Sequence, residues 1–163
     1  MEIIRYWEMP NKYTFKMKSV ASILKEYVNG VWADPFSGKF SPATMRNDAD
    51  SNMPSESHID GLDFLKTIKS DSLDGVLFDP PYSVEQALRK YKPKHKGTAG
   101  RAEYWAKCKN EIQRIIHKNG HAICFGWDSN GIGKSRGFFL EHVALICHGA
   151  CHNDTIVTVE TKI

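Results

Sequence analysis

Apolar residues first recur at helical spacing at Val20, Ile23, Leu24 and Tyr27, and Asn29-Gly30 closes the run, so the pattern predicts a helix over 16–28. The short run Val31-Trp32-Ala33 then enters Asp34-Pro35-Phe36-Ser37-Gly38, which reads as a strand followed by a tight turn. Thr44 to Asn47 has the length of a second short strand ending at Asp48, ahead of a polar stretch over 49–57 and a helix over 61–69. Gly75-Val76-Leu77-Phe78 is bounded by Asp74 and by Asp79-Pro80-Pro81, the pattern of a buried parallel strand. From Arg101 to His117, the residues Tyr104, Cys108, Ile112, Ile115 and Ile116 share one helical face. Lys118-Asn119-Gly120 stops that helix, and Ala122-Ile123-Cys124-Phe125 reads as another buried strand. A Gly-rich turn, a short helix over 137–142 and a hairpin of 143–147 with 155–160 complete the chain. Strands alternate with helices up to that hairpin, which predicts an α/β protein with a mostly parallel sheet and an antiparallel edge.

The length of 163 residues bounds this at a single domain over 1–163, with no internal repeat and no long linker. Hydrophobic residues at 41% and charged residues at 25% are those of a soluble globular chain. No stretch approaches the roughly 20 apolar residues of a membrane span, and Met1 to Pro10 has no apolar core of an export signal. The expectation is a cytoplasmic protein without membrane contact, its four cysteines (Cys108, Cys124, Cys147, Cys151) reduced. Cys147-His148-Gly149-Ala150-Cys151-His152 invites a metal reading, but haem attachment needs a two-residue gap between the cysteines and zinc needs four converging ligands. We read it as a tight polar turn and expect no metal site.

Net charge is +3, and its distribution is uneven. Arg89, Lys90, Lys92, Lys94, Lys96, Arg101, Lys107 and Lys109 stand against Glu103 alone, so 89–109 carries +7 and the remainder −4. A basic block on an acidic body points to a polyanionic partner, with Arg89, Lys90, Lys92, Lys94, Lys96 and Arg101 as phosphate contacts and Tyr104 and Trp105 as nearby aromatics able to wedge or stack. A solvated mobile loop is the plainer alternative.

The sharpest chemistry lies in Leu77-Phe78-Asp79-Pro80-Pro81-Tyr82-Ser83. A buried strand ending in an acid and two prolines places a stiff loop at the carboxyl edge of the sheet, where open α/β sheets bind ligands. Proline lacks an N–H, so the carbonyls of Asp79 and Pro80 are released from ladder pairing to face a ligand. A carboxylate beside an outward carbonyl offers two acceptors to an exocyclic amine, and Tyr82 offers a ring on which its planar system can stack.

Asp79-Pro80-Pro81-Tyr82 resembles the catalytic motif of the DNA adenine-N6 methyltransferase family, which uses S-adenosylmethionine and flips its target base out of the duplex. The resemblance implies a single-domain Rossmann-like methyltransferase fold, with Asp79 and Pro80 orienting N6, Pro81 shaping the loop, Tyr82 as the stacking platform and Asp79 also at the cofactor's reactive end. Asp34-Pro35-Phe36-Ser37-Gly38 is similar to that family's cofactor loop. Asp48 stands where an acid binds the ribose, Asp60 where an acid contacts the cofactor adenine, and Tyr13, Thr14 and Phe15 where an N-terminal segment lines the methionine end. DNA is the implied substrate. An amino group in RNA or in a glutamine side chain is the alternative acceptor, and an inactive nucleic-acid-binding module is the non-enzymatic one. With no separate target-recognition domain after the basic loop inserted over 89–101, specificity is expected to be modest or supplied by a second subunit, as in a homodimer.

Two departures qualify the resemblance. Lys39-Phe40 follows Gly38 where a second glycine is usual, and only nine residues separate Gly38 from Asp48, too few for a crossover helix. That helix is expected to be absent or reduced to a turn, leaving a more open cofactor pocket. Ser129-Asn130-Gly131-Ile132-Gly133-Lys134-Ser135 imitates the end of a phosphate-binding loop, but Asp128 occupies the position of its first glycine. It is read as a turn near the site, with Trp127 lining it.

Overall fold

A computed structural model describes residues 1–81, 102–149 and 152–163. Its strands are β1 (Glu2–Trp7), β2 (Trp32–Asp34), β3 (Met45–Arg46), β4 (Leu73–Phe78), β5 (Ile116–Gly126), β6 (Phe138–Cys147) and β7 (Thr155–Lys162). The α-helices among the described residues are α1 (Lys18–Tyr27), α2 (Gly61–Thr67) and α3 (Ala102–Ile115). The strands form one sheet in the order β1-β6-β7-β5-β4-β2-β3, and every neighbouring pair is parallel except those made by β7.

Alternation along the central strands divides the core into two layers. Trp32, Leu77, Ile123, Phe125, Val157 and Val159 face α1, whereas Ala33, Val76, Phe78, Ala122 and Cys124 face α2 and α3. Helix α1 buries Val20, Ile23 and Leu24 against the first set. At roughly 1.5–3 kcal/mol for each fully buried side chain, this burial outweighs the propensity of ten residues, so the sheet is what holds α1 helical. The helix lacks a cap of its own at Met17. Instead the Glu8 carboxylate accepts the amides of Lys18 (2.6 Å) and Ser19 (2.9 Å) and the Ser19 hydroxyl (2.7 Å).

One strand is additional to the expectations, and three expectations need correction. The N-terminal residues form β1, an edge strand parallel to β6 in which the half-buried Ile4 and Tyr6 alternate with exposed neighbours. The helix expected over 137–142 is the start of β6, because Phe138, Leu140 and His142 pair with β7. The hairpin partner β7 lies inside the sheet between β5 and β6, so the edge belongs to β1. The stop at Lys118-Asn119-Gly120 is a bulge within β5: Ile116 pairs with Leu73, and the register resumes only at His121 with Gly75. Asn119 has φ of 67° there, and a Cβ on Gly120 would lie 2.6 Å from the Ile116 side chain and 2.8 Å from the Asp74 carbonyl.

The expected loss of a helix between β2 and β3 is observed, since residues 35–44 form only turns. Chain order then creates a crevice. From β2 the chain passes outward to β3, returns across β2 to β4 and continues to β5 on the other side. The carboxyl ends of β2 and β4 therefore flank a topological switch point, where ligands bind in such sheets. Among the described residues no helix is long and apolar enough to cross a membrane.

Candidate active site

The loop after β2 is shaped by buried polar groups. Asp34 is fully buried and accepts the Phe36 amide (2.9 Å) and the Ser41 hydroxyl (2.6 Å), which folds the chain back directly beyond the strand. Gly38 has φ of 55°, and no atom lies within 4 Å of where its Cβ would stand, so the loop presents open space there. Asn47, also fully buried, donates from Nδ2 to the carbonyls of Pro35 and Ile59 (both 3.0 Å) and accepts the Ile59 amide at Oδ1 (3.1 Å). It ties this loop to the segment before α2. Gly61 completes the tie, because a Cβ there would meet the Phe36 ring at 2.6 Å.

The other acids carried over by resemblance are held in internal hydrogen bonds. Asp48 is fully buried, and its oxygens accept the amides of Gly38 (2.9 Å) and Asp50 (3.0 Å). Asp60 caps α2 by accepting the amides of Leu62 and Asp63, and it takes the Tyr104 hydroxyl at 2.9 Å. Burial raises the Tyr104 phenol, with the Cys108 thiol and the Asp60 carboxylate adding to the rise, so Tyr104 stays a donor and clamps α3 to α2. Tyr104 is thus a buried strut rather than a wedge on the surface. Tyr13, Thr14 and Phe15 do reach the carboxyl edge: Thr14–Lys16 is a 3-10 turn, the Tyr13 ring meets Phe40 of the chain after β2 at 4.9 Å, and Phe15 meets Phe125 at the end of β5 at 5.5 Å.

Beyond β4, Pro80 and Pro81 border a cleft of about 180 Å³, with Asp79 next to them in the chain but not in its lining. Phe78, Pro80 and Pro81 line it from β4, Trp105 and Lys109 from α3, and Cys124 to Asp128 with Gly131 from β5 and its loop. Pro81 is buried, and Asp79 and Pro80 are half-buried. Phe36, Phe78 and Trp105 pack edge to face with centroids 5.8 to 6.3 Å apart, so the loop after β2 and the cleft share one aromatic support. Trp127 is 49% exposed and offers a ring at the cleft, as its sequence position implied. Tyr82 and the basic residues Arg89, Lys90, Lys92, Lys94, Lys96 and Arg101 lie outside the described residues.

One contributor was missed in sequence. Glu160 of β7 is 2% exposed, and its carboxylate accepts the amides of Ile132 (2.5 Å) and Gly133 (3.0 Å). The glycine-rich loop that imitates a phosphate-binding turn has therefore turned its amides onto an internal carboxylate. A Cβ on Gly131, where φ is 52°, would run into that carboxylate, so glycine is required. Only an alternating strand position marks Glu160 in sequence, and nothing local reveals its partner 28 residues away.

Burial raises the Glu160 pKa above the ordinary carboxylate value, although the two amides and Lys109 pull it down. The folded protein then holds this proton more readily than the unfolded chain, so the group's contribution to stability falls as pH rises from about 4.5 through the raised value. Glu160→Gln cannot titrate, so the stability difference between wild type and variant is expected to shift steadily in the variant's favour from pH 4 to pH 7. Urea melts across that range read the slope; a flat difference contradicts the burial effect.

Comparison with known proteins places the architecture. No family model and no curated protein matches the sequence. The fold is that of methyltransferases: 35 solved chains match, at low sequence identity in those described next. TrmN from Thermus thermophilus superposes with a TM-score of 0.59 at 14% identity, over 90% of this chain and 49% of TrmN, so the chain spans about half of that protein. YhhF from Escherichia coli, assigned as a methyltransferase, gives 0.54 at 11% identity over 90% of this chain and 85% of YhhF. HI0767 from Haemophilus influenzae, assigned as a methylase, gives 0.51 at 12% identity over 98% of both chains.

Proposed function

We propose that this chain is an S-adenosylmethionine-dependent methyltransferase that methylates N6 of adenine in DNA, presented as a flipped base. The observation that carries the reading is the Pro80-Pro81 corner walling an aromatic cleft at the carboxyl ends of β4 and β5, whose Phe78 and Trp105 pack on Phe36 of the loop after β2. The fit to the cofactor is mixed. The open space at Gly38 and the Tyr13–Phe15 segment suit the methionine end, whereas the buried, doubly engaged Asp48 does not offer its carboxylate to a ribose.

Bound S-adenosylmethionine would supply an electrophilic methyl group on sulfur. Asp79 accepts one N–H of the exocyclic amine and the Pro80 carbonyl accepts the other, which turns the nitrogen lone pair out of the ring plane for attack. Pro81 holds that carbonyl outward, because a proline there cannot turn an amide back into the corner. Trp105 and Trp127 add aromatic surface for the base, supplementing the platform role assigned by resemblance to Tyr82. Base stacking is worth roughly 1–3 kcal/mol per ring. Trp127→Ala is accordingly expected to raise KM for the nucleic acid about tenfold, and a KM within twofold of wild type removes Trp127 from the base site.

Transfer of labelled methyl to DNA, followed by digestion to nucleosides, tests the acceptor. Label in N6-methyl-2′-deoxyadenosine is expected; label in RNA or in protein glutamine moves the acceptor to the alternative class. The sequestered Asp34 and Asp48 favour a second reading, a nucleic-acid-binding module that keeps the fold without activity. Titration with S-adenosylmethionine separates the two, since the module would not bind it.

A further inference from the structure

A second basic cluster lies elsewhere in the sequence than the 89–109 block. Between Met9 and Lys25 the chain carries Lys12, Lys16, Lys18 and Lys25 and no acid, and Lys39 follows the loop after β2. The fold gathers part of this charge onto two rings. Lys16 Nζ lies 4.5 Å and Lys39 Nζ 5.5 Å from the centre of the Phe40 ring, and Lys12 Nζ lies 4.8 Å from the centre of Tyr13. The rings meet edge to face at 4.9 Å, and Phe40 is 37% exposed. All three lysines are exposed, and none joins an ion pair among the described residues.

Three like charges drawn together repel one another, and a polyanion relieves that repulsion. Aromatic faces hold the ammonium groups in place, which lowers the ordering cost of binding. The patch also has a direction. Phe15, between Tyr13 and Lys16, packs 5.5 Å from Phe125, a residue lining the cleft. A strand delivering a base to that cleft would carry its flanking phosphates past these lysines.

We propose that Lys12, Lys16 and Lys39, held by Tyr13 and Phe40, form a phosphate-binding track for the nucleic-acid strand that enters the cleft, a role that rests on the cleft accepting a nucleic-acid base. The test compares wild type with the triple variant Lys12→Gln, Lys16→Gln, Lys39→Gln and with the matching triple Lys→Arg variant. Binding of single-stranded DNA, duplex DNA and single-stranded RNA is followed across a salt series, with thermal unfolding as the folding control. Each neutralised phosphate contributes roughly 0.7–0.9 to the slope of log K against log salt. The glutamine variant is expected to lose about two to three from that slope, and the arginine variant to keep it. An unchanged slope in a folded glutamine variant, or no nucleic-acid binding by wild type, overturns the proposal. Methyl transfer is read separately: slope loss without any transfer leaves the track standing and removes the enzymatic reading, whereas transfer confined to a protein acceptor does the reverse.

Discussion

Asp79→Ala is expected to abolish methyl transfer while the protein stays folded. Asp79 is half-buried at the end of β4, and the strand it follows is held by Leu73, Val76, Leu77 and Phe78, each at most 3% exposed. Truncation beyond that anchor removes little packing, so unfolding in urea should change by under about 1 kcal/mol. Catalysis should respond differently. Removing one fixed polar group from a reacting centre costs roughly 10²–10³ in rate. Loss of an acceptor that also aims the nucleophile adds a geometric penalty to that figure. Asp79→Asn gives the sharper reading, because its amide oxygen can still accept one N–H while its charge is gone. Activity is expected in the order wild type, Asn, Ala, with the loss in turnover larger than any loss of affinity for S-adenosylmethionine. Turnover by the alanine variant within tenfold of wild type would remove Asp79 from the chemistry, whatever the fold.

That the corner could be located without coordinates has a local cause. Asp-Pro-Pro after Val76-Leu77-Phe78 fixes both a buried strand and its stiff end within seven residues, and each property is readable from neighbours alone. Helix α3 was legible for the same reason, since Cys108, Ile112 and Ile115 declare one face at helical spacing. What escaped depends on distant partners. β1 is a strand because residues about 140 positions later pair with it, and a ten-residue segment of mixed charge and aromatics carries no trace of that. Phe138-Phe139-Leu140 forms strand where a helix is expected, and Phe138 faces the core cluster with Ile132 while Phe139 is 53% exposed, the alternation of a strand. The internal hydrogen bonds of Asp34, Asp48 and Asp60 are likewise set by partners that their neighbours in sequence do not reveal. Whether Asp48 meets a ribose or the Gly38 amide is decided by how short the loop between them is, and the nine-residue spacing gave only the missing helix.

Asn47→Asp should produce the largest loss of stability, because one buried amide holds together the loop after β2 and the segment before α2. Its Nδ2 donates to the carbonyls of Pro35 and Ile59, and its Oδ1 accepts the Ile59 amide. Aspartate has the same shape and no donor when ionised. It would turn a carboxylate oxygen onto two carbonyls already 3.0 Å away, at a site with no exposure to water. Leaving one buried polar group unsatisfied costs about 1–3 kcal/mol, and here two carbonyls and a charge are affected, so a loss of roughly 3 kcal/mol or more is expected. For a domain of this size that corresponds to a fall in Tm of about 6–12 °C. The pH dependence distinguishes this cause from loose packing. A protonated carboxyl regains one donor, so the deficit relative to wild type should shrink as pH falls, whereas Asn47→Ala should show a deficit that pH leaves unchanged. Affinity for S-adenosylmethionine should drop in both variants, because the loop at Gly38 loses its fixed distance from the start of α2. An Asn47→Asp protein that melts within 2 °C of wild type, a shift of roughly half a kcal/mol, would show that the Pro35 loop is positioned by the Asp34 turn alone.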